Sequence, residues 1–205
     1  MNKKKHWETV YNTKTPQEVS WTQKYPKTSI EFVKSFKIDS SKPIIDVGGG
    51  DSHLVDVLIK EGYTDITVLD ISEKALLRAQ ERLGKKSEKV NWIVCDILDF
   101  KPKRNYSIWH DRAAFHFLTE ALQIEKYTEK VNRYVSEGLV IGTFSEEGPL
   151  KCSGLDISQY NFDKLNANFK ENFNAIERKE EIHITPFDTQ QNFTFMCFKK
   201  TNELF

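Results

Sequence analysis

Residues 46–50, with the sequence DVGGG, constrain the fold of this chain more than any other segment. They follow a short apolar run that starts at Pro43, and they precede an amphipathic segment that ends at Gly62. A strand, a glycine turn and a helix in this order form a corner where the backbone can approach a ligand closely, because glycine has no Cβ and the first N–H groups of a helix are free. Ordinary strand–helix turns share this pattern, so the residues that follow decide its meaning.

Beyond this corner, short apolar strands alternate with amphipathic helices. The pattern predicts strands at 44–47, 66–69, 90–95, 106–109 and 139–144, and helices at 52–60, 72–83 and 119–136. Strands that alternate with helices form a parallel sheet with right-handed crossovers. The last third instead predicts a helix at 162–172 and two strands, 176–185 and 192–199, joined by a turn after Pro186. The expected fold is α/β: a doubly wound, mostly parallel seven-stranded sheet that ends in an antiparallel hairpin.

The N-terminal segment, residues 1–36, is rich in aromatic residues and predicts short helices near 5–12 and 26–36. Its aromatic side chains either pack this segment onto the rest of the domain or form a lid over a pocket, and the two roles are compatible. We expect a single domain over 1–205, with a helical cap at 1–36, a ligand-binding core at 40–145, and a substrate-side loop, helix and hairpin at 146–205.

Composition narrows the class of protein. The 205 residues are 39% hydrophobic and 29% charged with a formal net charge of zero, which is typical of a soluble globular protein and gives no basic field for nucleic acid. No apolar run is long enough to cross a bilayer, and no signal peptide core follows the basic N-terminus, so we expect a cytoplasmic protein without a membrane partner. Three well-separated cysteines favour a reducing compartment and argue against a metal site.

Three acidic residues end three successive predicted strands. Asp46, Asp70 and Asp96 are spaced 24 and 26 residues apart, which is one strand–helix unit each. Ligands of open α/β sheets bind beyond the carboxyl ends of the strands, so all three carboxylates are expected at one site. A carboxylate after the second strand suits the two hydroxyls of a ribose, and one after the third suits the amine of an adenine.

The glycine register argues against a dinucleotide. His53 occupies the position where the dinucleotide fingerprint has its third glycine, and an acid precedes the glycines. A pyrophosphate would be repelled by Asp46 and Asp51, whereas a ligand with an ammonium and a sulfonium would not. A nicotinamide-dependent dehydrogenase is therefore disfavoured.

The sequence resembles class I S-adenosylmethionine-dependent methyltransferases. Residues 44–50 (IIDVGGG), 68–72 (VLDIS) and 94–97 (VCDI) are similar to the first three motifs of that family, and the resemblance covers about 40–145. Ser52 departs from the family pattern, because many members have a further glycine there. The resemblance implies S-adenosylmethionine as cofactor and S-adenosylhomocysteine as product.

The resemblance also implies which residues meet the cofactor. Asp46 and the glycines would contact the methionine part, Asp70 the ribose, and Asp96 with Ile97 the adenine. The full set of cofactor residues that it implies is Trp21, Asp46, Gly48, Gly49, Gly50, Asp70, Ile71, Asp96, Ile97 and His110.

The aromatic N-terminal segment is similar to the cap of a subset of this family. That subset includes the thiopurine or thiol methyltransferase-like proteins and the small lysine methyltransferases. In these proteins an aromatic residue of the cap lies near the cofactor carboxylate or the acceptor, which implies that role for Trp21.

Candidate catalytic residues follow the fourth predicted strand, in residues 110–117 (HDRAAFHF). His110 or His116 is a candidate general base, Asp111 is a candidate to orient an acceptor amine or hydroxyl, and Arg112 to pair with an anionic substrate. The alternative is structural: Asp111 and Arg112 pair with each other, and the histidines cap the next helix. The family motif for methylation of DNA bases is absent.

The sequence therefore predicts a methyltransferase that acts on a small-molecule acceptor beneath the cap. Protein lysine methylation is the alternative, because the cap resembles both groups. A second alternative is a non-catalytic cofactor-binding module that serves a partner subunit. No nucleic-acid partner is expected.

Overall fold

The computed structural model of the protein describes residues 2–201. Its strands are β1 (Ile44–Val47), β2 (Ile66–Asp70), β3 (Val90–Val94), β4 (Tyr106–Arg112), β5 (Val135–Phe144), β6 (Lys151–Cys152), β7 (Leu155–Asp156), β8 (Phe173–Ile184) and β9 (Gln190–Lys200). Its helices are α1 (Lys3–Thr13), α2 (Lys27–Ser35), α3 (Leu54–Lys60), α4 (Glu73–Leu83), α5 (Ala121–Tyr134) and α6 (Phe162–Ala167). Within 2–201, no helix has both the length and the apolar character that crossing a bilayer requires.

Seven strands form one sheet in the order β3-β2-β1-β4-β5-β9-β8. Strands β1 to β5 pair in parallel, whereas β9 runs antiparallel to both β5 and β8. The predicted fold class is confirmed, including the antiparallel hairpin at the C-terminal end. Because β2 and β4 flank β1 on opposite sides, the chain reverses its direction of winding between β1 and β4, and ligands of such sheets bind at this point.

Alternation along β4 divides the core into two layers. Ile108 faces the apolar layer that contains Phe32 and Phe195, whereas Trp109 faces the layer that contains Tyr127. Successive side chains of a strand point to opposite faces. The residues that follow Trp109 continue this alternation, and this decides which of them can reach a ligand.

Several element boundaries differ from the sequence prediction, among them those of β4, β5 and α6. Strand β4 continues to Arg112, beyond the predicted end at 109, because pairing with β5 persists through Arg112 and Gly142. For the same reason β5 begins at Val135 instead of 139. Helix α6 ends at Ala167, short of the predicted 172. In β4 and β5, pairing in the centre of the sheet outweighs the polar character that the sequence shows at the added positions.

The segment after β5 contains a small hairpin that the sequence analysis treated as a loop. Strands β6 and β7 pair through Cys152 and Leu155. Between them, Ser153 and Gly154 both have positive φ values, 51° and 79°. Such values are required by the tight turn that joins two antiparallel strands with the usual twist. The hairpin holds Cys152 against the carboxyl ends of the sheet.

We expect Phe195→Ala to lower the free energy of unfolding by about 3–5 kcal/mol, because the truncation leaves a cavity in the layer beneath α2. Ile182→Ala, on the partner strand of the same hairpin, is a matched control, because Ile182 is 60% exposed and its truncation is expected to change stability by less than about 0.5 kcal/mol. Urea denaturation of both variants measures the difference. Equal losses would contradict the assignment of Phe195 to the core.

Candidate active site

A cavity opens at the carboxyl ends of β1, β2, β3 and β4. The predicted cofactor residues that line it are Trp21, Asp46, Gly48, Gly49, Asp70, Ile71, Asp96, Ile97 and His110, and Arg112 lines it as well. Gly50 is not among the lining residues, but it packs against one of them: a Cβ added to Gly50 would lie 2.7 Å from Asp70 Oδ2. The three acids that the sequence predicted to converge therefore do so.

The glycine corner leaves no room for side chains. Gly48 has a φ of +67°, and a Cβ there would lie 2.6 Å from the Ala114 side chain. A Cβ on Gly49 would lie 2.6 Å from Asp46 Oδ2. Glycine is required here for the positive φ and for the close packing of the corner against β4.

Asp70 is buried at the end of β2, and its Oδ1 accepts a hydrogen bond of 2.8 Å from the Ser72 backbone N–H. Burial, together with the nearby charges of Asp46 and Glu8, raises the pKa of Asp70 to about 7, against the opposing effect of that hydrogen bond. A ligand whose hydroxyls donate to this carboxylate would stabilise the ionised form. This is the arrangement that a ribose requires.

Asp96 lies at the entrance to the loop after β3. Its Oδ1 accepts a hydrogen bond of 2.9 Å from the Leu98 N–H, which orders the turn that follows. Asp96 and Ile97 both line the cavity, next to Cys95. One carboxylate oxygen is thus used by the protein, and the other is available to a ligand amine.

Asp46 and His110 form a buried pair beneath the cavity. They are register partners in β1 and β4 and point to the same face, so Asp46 Oδ1 lies 2.7 Å from His110 Nδ1. Both residues are 2% exposed. Asp46 Oδ2 and His110 Nε2 have no protein partner, which is unusual for buried polar atoms. Both residues line the cavity, so a ligand is a natural partner for these atoms.

The N-terminal segment forms the roof of the cavity. Trp7 meets Trp21 and Phe117 edge to face, with ring centroids 5.6 and 5.2 Å apart. Glu8 holds α1 in place, because its carboxylate accepts hydrogen bonds from the N–H groups of Glu73 (2.7 Å) and Lys74 (3.3 Å) at the start of α4. A carboxylate stabilises the N-terminus of a helix, so α1 is tied to the side of the site that contains Asp70. The segment therefore combines packing with covering the cavity.

Asp111 and His116 lie outside the residues that line the cavity. Asp111 faces the opposite side of β4, where it accepts hydrogen bonds from the N–H groups of Ala114 and Phe115 (3.0 Å each) and from the Tyr127 hydroxyl (2.7 Å). His116 is fully buried against Phe144, and burial lowers the pKa of His116 to about 3. These two side chains hold the segment that follows β4.

Arg112 faces the cavity, on the same side of β4 as His110. Its Nη1 donates a hydrogen bond of 3.0 Å to the Trp21 carbonyl. Arg112 and Asp111 do not pair with each other, because neighbouring residues of a strand point to opposite faces. The structural ion pair considered in the sequence analysis is therefore not formed.

Several lining residues were not predicted as site residues from the sequence. Tyr11, Ser29, Phe117 and Cys152 reach the cavity from four separate elements. The aromatic content of residues 1–36 pointed to a lid, but which aromatic residues face inward depends on how α1 lies across the sheet. Within residues 2–201, no group of three or more His, Cys, Asp or Glu residues is placed to hold a metal ion.

Residues 44–138 match the family model for a methyltransferase domain. Residues 44–138 therefore form a methyltransferase domain. The match covers the glycine corner, Asp70, Asp96 and the segment around His110. Together these residues form the floor of the cavity. A comparison with curated protein sequences gave no match.

Solved structures share the fold of the whole methyltransferase. A methyltransferase from Anabaena variabilis superposes with a TM-score of 0.75 at 13% identity, over 98% of this chain and 96% of that one. The 1,6-didemethyltoxoflavin N1-methyltransferase of Burkholderia thailandensis gives 0.72 at 12%, over 97% and 87%. The N-methyltransferase NodS of Bradyrhizobium japonicum gives 0.68 at 14%, over 88% and 90%. At these identities, the likeness establishes the fold.

We expect Tyr127→Phe to lower the free energy of unfolding of the methyltransferase by about 1–3 kcal/mol. The Tyr127 hydroxyl donates to Asp111 and accepts from Trp109 Nε1 (3.0 Å), so its removal leaves two buried groups without a partner. Tyr134→Phe, on the same helix, is the control, and thermal or urea denaturation is the measurement. A loss below about 0.5 kcal/mol in Tyr127→Phe would show that the Asp111 network contributes little to stability.

Proposed function

We propose that this methyltransferase transfers a methyl group to a small-molecule acceptor that binds beneath the N-terminal cap. The observation that carries this proposal is the aromatic lining of the cavity: Trp7, Trp21 and Phe117 line it together with the three acids, and Trp7 packs edge to face against the other two rings. A roof of packed aromatic rings suits a small ligand and excludes water from it.

The cofactor residues are assigned by the chemistry of their side chains. Asp70 would accept from the ribose hydroxyls, Asp96 from the adenine amine, and Asp46 Oδ2 from the ammonium of the methionine part, with the glycine corner beside it. When bound, S-adenosylmethionine supplies a methyl group already activated on a sulfonium. The protein therefore has to position the acceptor and exclude water.

His110 is the residue that we assign to the proton of the acceptor. Asp46 holds its Nδ1, so Nε2 is free to accept a proton from an acceptor that must lose one. A carboxylate behind the imidazole also stabilises the charged form once the proton has moved. We assign positioning roles to Asp111 and His116, which hold the segment between β4 and α5 behind the cavity.

A small acceptor fits the cavity better than the two alternatives do. A lysine side chain on a protein would need an open channel, but Trp7 and Tyr11 of α1 line the cavity and Glu8 ties this helix to the start of α4. A non-catalytic module has no need for a buried carboxylate–imidazole pair with its free atoms on the cavity side. The Burkholderia enzyme, which shares the fold, was solved with the small molecule 1,6-didemethyltoxoflavin bound.

We expect Asp70→Asn to weaken S-adenosylhomocysteine binding roughly 10- to 150-fold, because hydrogen bonds to a charged acceptor contribute about 1.5–3 kcal/mol. Asp65→Asn is the control, since Asp65 precedes the same strand outside the cavity and pairs with Arg104. Isothermal titration calorimetry measures both. Unchanged affinity in Asp70→Asn would remove the ribose role of this residue.

The raised pKa of Asp70 predicts that cofactor affinity depends on pH. With the pKa of Asp70 at about 7 in the free protein, the cofactor has to displace a proton at lower pH. Affinity is therefore expected to rise with pH from about 5.5 to 7, by at most tenfold per pH unit, and then to level off. In Asp70→Asn the profile should be flat across this range, and a wild-type profile that is equally flat would contradict the assignment.

The acceptor class is tested by incubating the enzyme with methyl-labelled S-adenosylmethionine and a cell extract. The extract is first separated into protein and small-molecule fractions. We expect enzyme-dependent label in the small-molecule fraction, and the Asp70→Asn variant reports the background. Label confined to protein would establish the lysine alternative.

A further inference from the structure

Arg112 presents a vacant hydrogen-bonding edge at the cavity. Its Nη1 is occupied by the Trp21 carbonyl, and its guanidinium lies over the Phe193 ring at 4.5 Å. Nε and Nη2, which form one side of the planar group, are buried and have no partner. This edge matches the two oxygens of a carboxylate, because both N–H groups point the same way in one plane.

No carboxylate of the protein within residues 2–201 forms an ion pair with this edge. Among the acids, Glu181 has the largest effect on the pKa of Arg112, but its oxygens accept hydrogen bonds from Gln23 and Thr28. Burial lowers the pKa of Arg112 to about 10, so the side chain is still a cation at neutral pH. A buried cation without a bonded anion is unfavourable, and a ligand that brings the anion would relieve this cost.

Ser29 adds a second donor to the lining of the same cavity. It lies in the first turn of α2, which packs against β4, and it lines the cavity together with Pro26. Ser29 is 1% exposed, and its Oγ has no hydrogen-bond partner. The N-terminus of this nine-residue helix adds a partial positive charge. Two independent side chains with unused donors, Arg112 and Ser29, therefore line this cavity.

We propose that Arg112 and Ser29 form a subsite for an oxyanion of the acceptor, which makes the acceptor a small acid. This inference rests on the proposed function and narrows its substrate class. His110 and Arg112 are two residues apart on one face of β4, about 7 Å along the strand. The accepting atom is therefore only a few bonds from the acid group, as in small amino, hydroxy or thio acids.

The vacant edge is shielded even from water in this closed arrangement. The Trp21 carbonyl that holds Nη1 belongs to the cap, so movement of the cap to admit a ligand also frees the guanidinium. An acid that binds would then connect the floor of the cavity to its roof.

The test uses the protein saturated with S-adenosylhomocysteine and pairs of small acids with their neutral amides: lactate and lactamide, 3-mercaptopropionate and 3-mercaptopropionamide, anthranilate and anthranilamide. Thermal denaturation and calorimetry measure binding of each compound. We expect at least one acid to bind more tightly than its amide. Arg112→Met should weaken the binding of that acid roughly 10- to 100-fold and leave the binding of the amide unchanged.

Control variants distinguish the effect of the Arg112 charge on acid binding from an effect of the substitution on folding. Arg112→Lys should keep part of the preference for the acid, and Arg104→Met, which removes an exposed arginine from an ion pair outside the cavity, should keep all of it. Ser29→Ala should weaken the binding of the acid several-fold, and this variant tests the subsite without altering Arg112. Each variant is first shown to bind S-adenosylhomocysteine as the wild type does.

Two outcomes would overturn the inference: no acid is preferred over its amide, or the preference survives in Arg112→Met. Both leave the proposed function intact as long as the wild type binds S-adenosylhomocysteine. Failure of the wild type to bind that compound would instead overturn the proposed function itself, so the two failures are distinguishable.

Discussion

The buried hydrogen bond between Asp46 and His110 joins the two central strands where the sheet reverses its winding. Both residues carry polar atoms that the protein leaves without partners, in a place that water does not reach. A fold tolerates such groups where a ligand completes them. The glycine corner packs directly over Asp46, so the position of this pair also determines how closely the backbone of Gly49 can approach a ligand.

The cap depends on the same end of the sheet through a second contact. Glu8 binds the first N–H groups of α4, directly after the segment that carries Asp70. The helix that covers the cavity is therefore attached to the strand end that we assign to the ribose. Arg112 makes a comparable link through the Trp21 carbonyl on the acceptor side.

Much of the fold, and the acidic and glycine residues of the site, could be predicted from the sequence because they depend on local patterns. The pattern of strands and helices and the acids at the strand ends depend on local periodicity, and parallel sheets bring such ends together. The block after β4 was harder to assign. His110, Asp111 and Arg112 read as one polar loop, but pairing with β5 extends the strand through them and sends alternate side chains to opposite faces.

The sequence by itself determined the doubly wound sheet, the glycine corner and the convergence of three carboxylates, because each follows from short-range patterning. Only the tertiary structure decided that Arg112 faces the cavity while Asp111 turns into the core, and that Ser29 from α2 joins the same cavity. Those facts depend on strand register and on packing between residues that are distant in the chain. Burial, which only the folded chain establishes, is also what leaves the Arg112 edge in need of a partner.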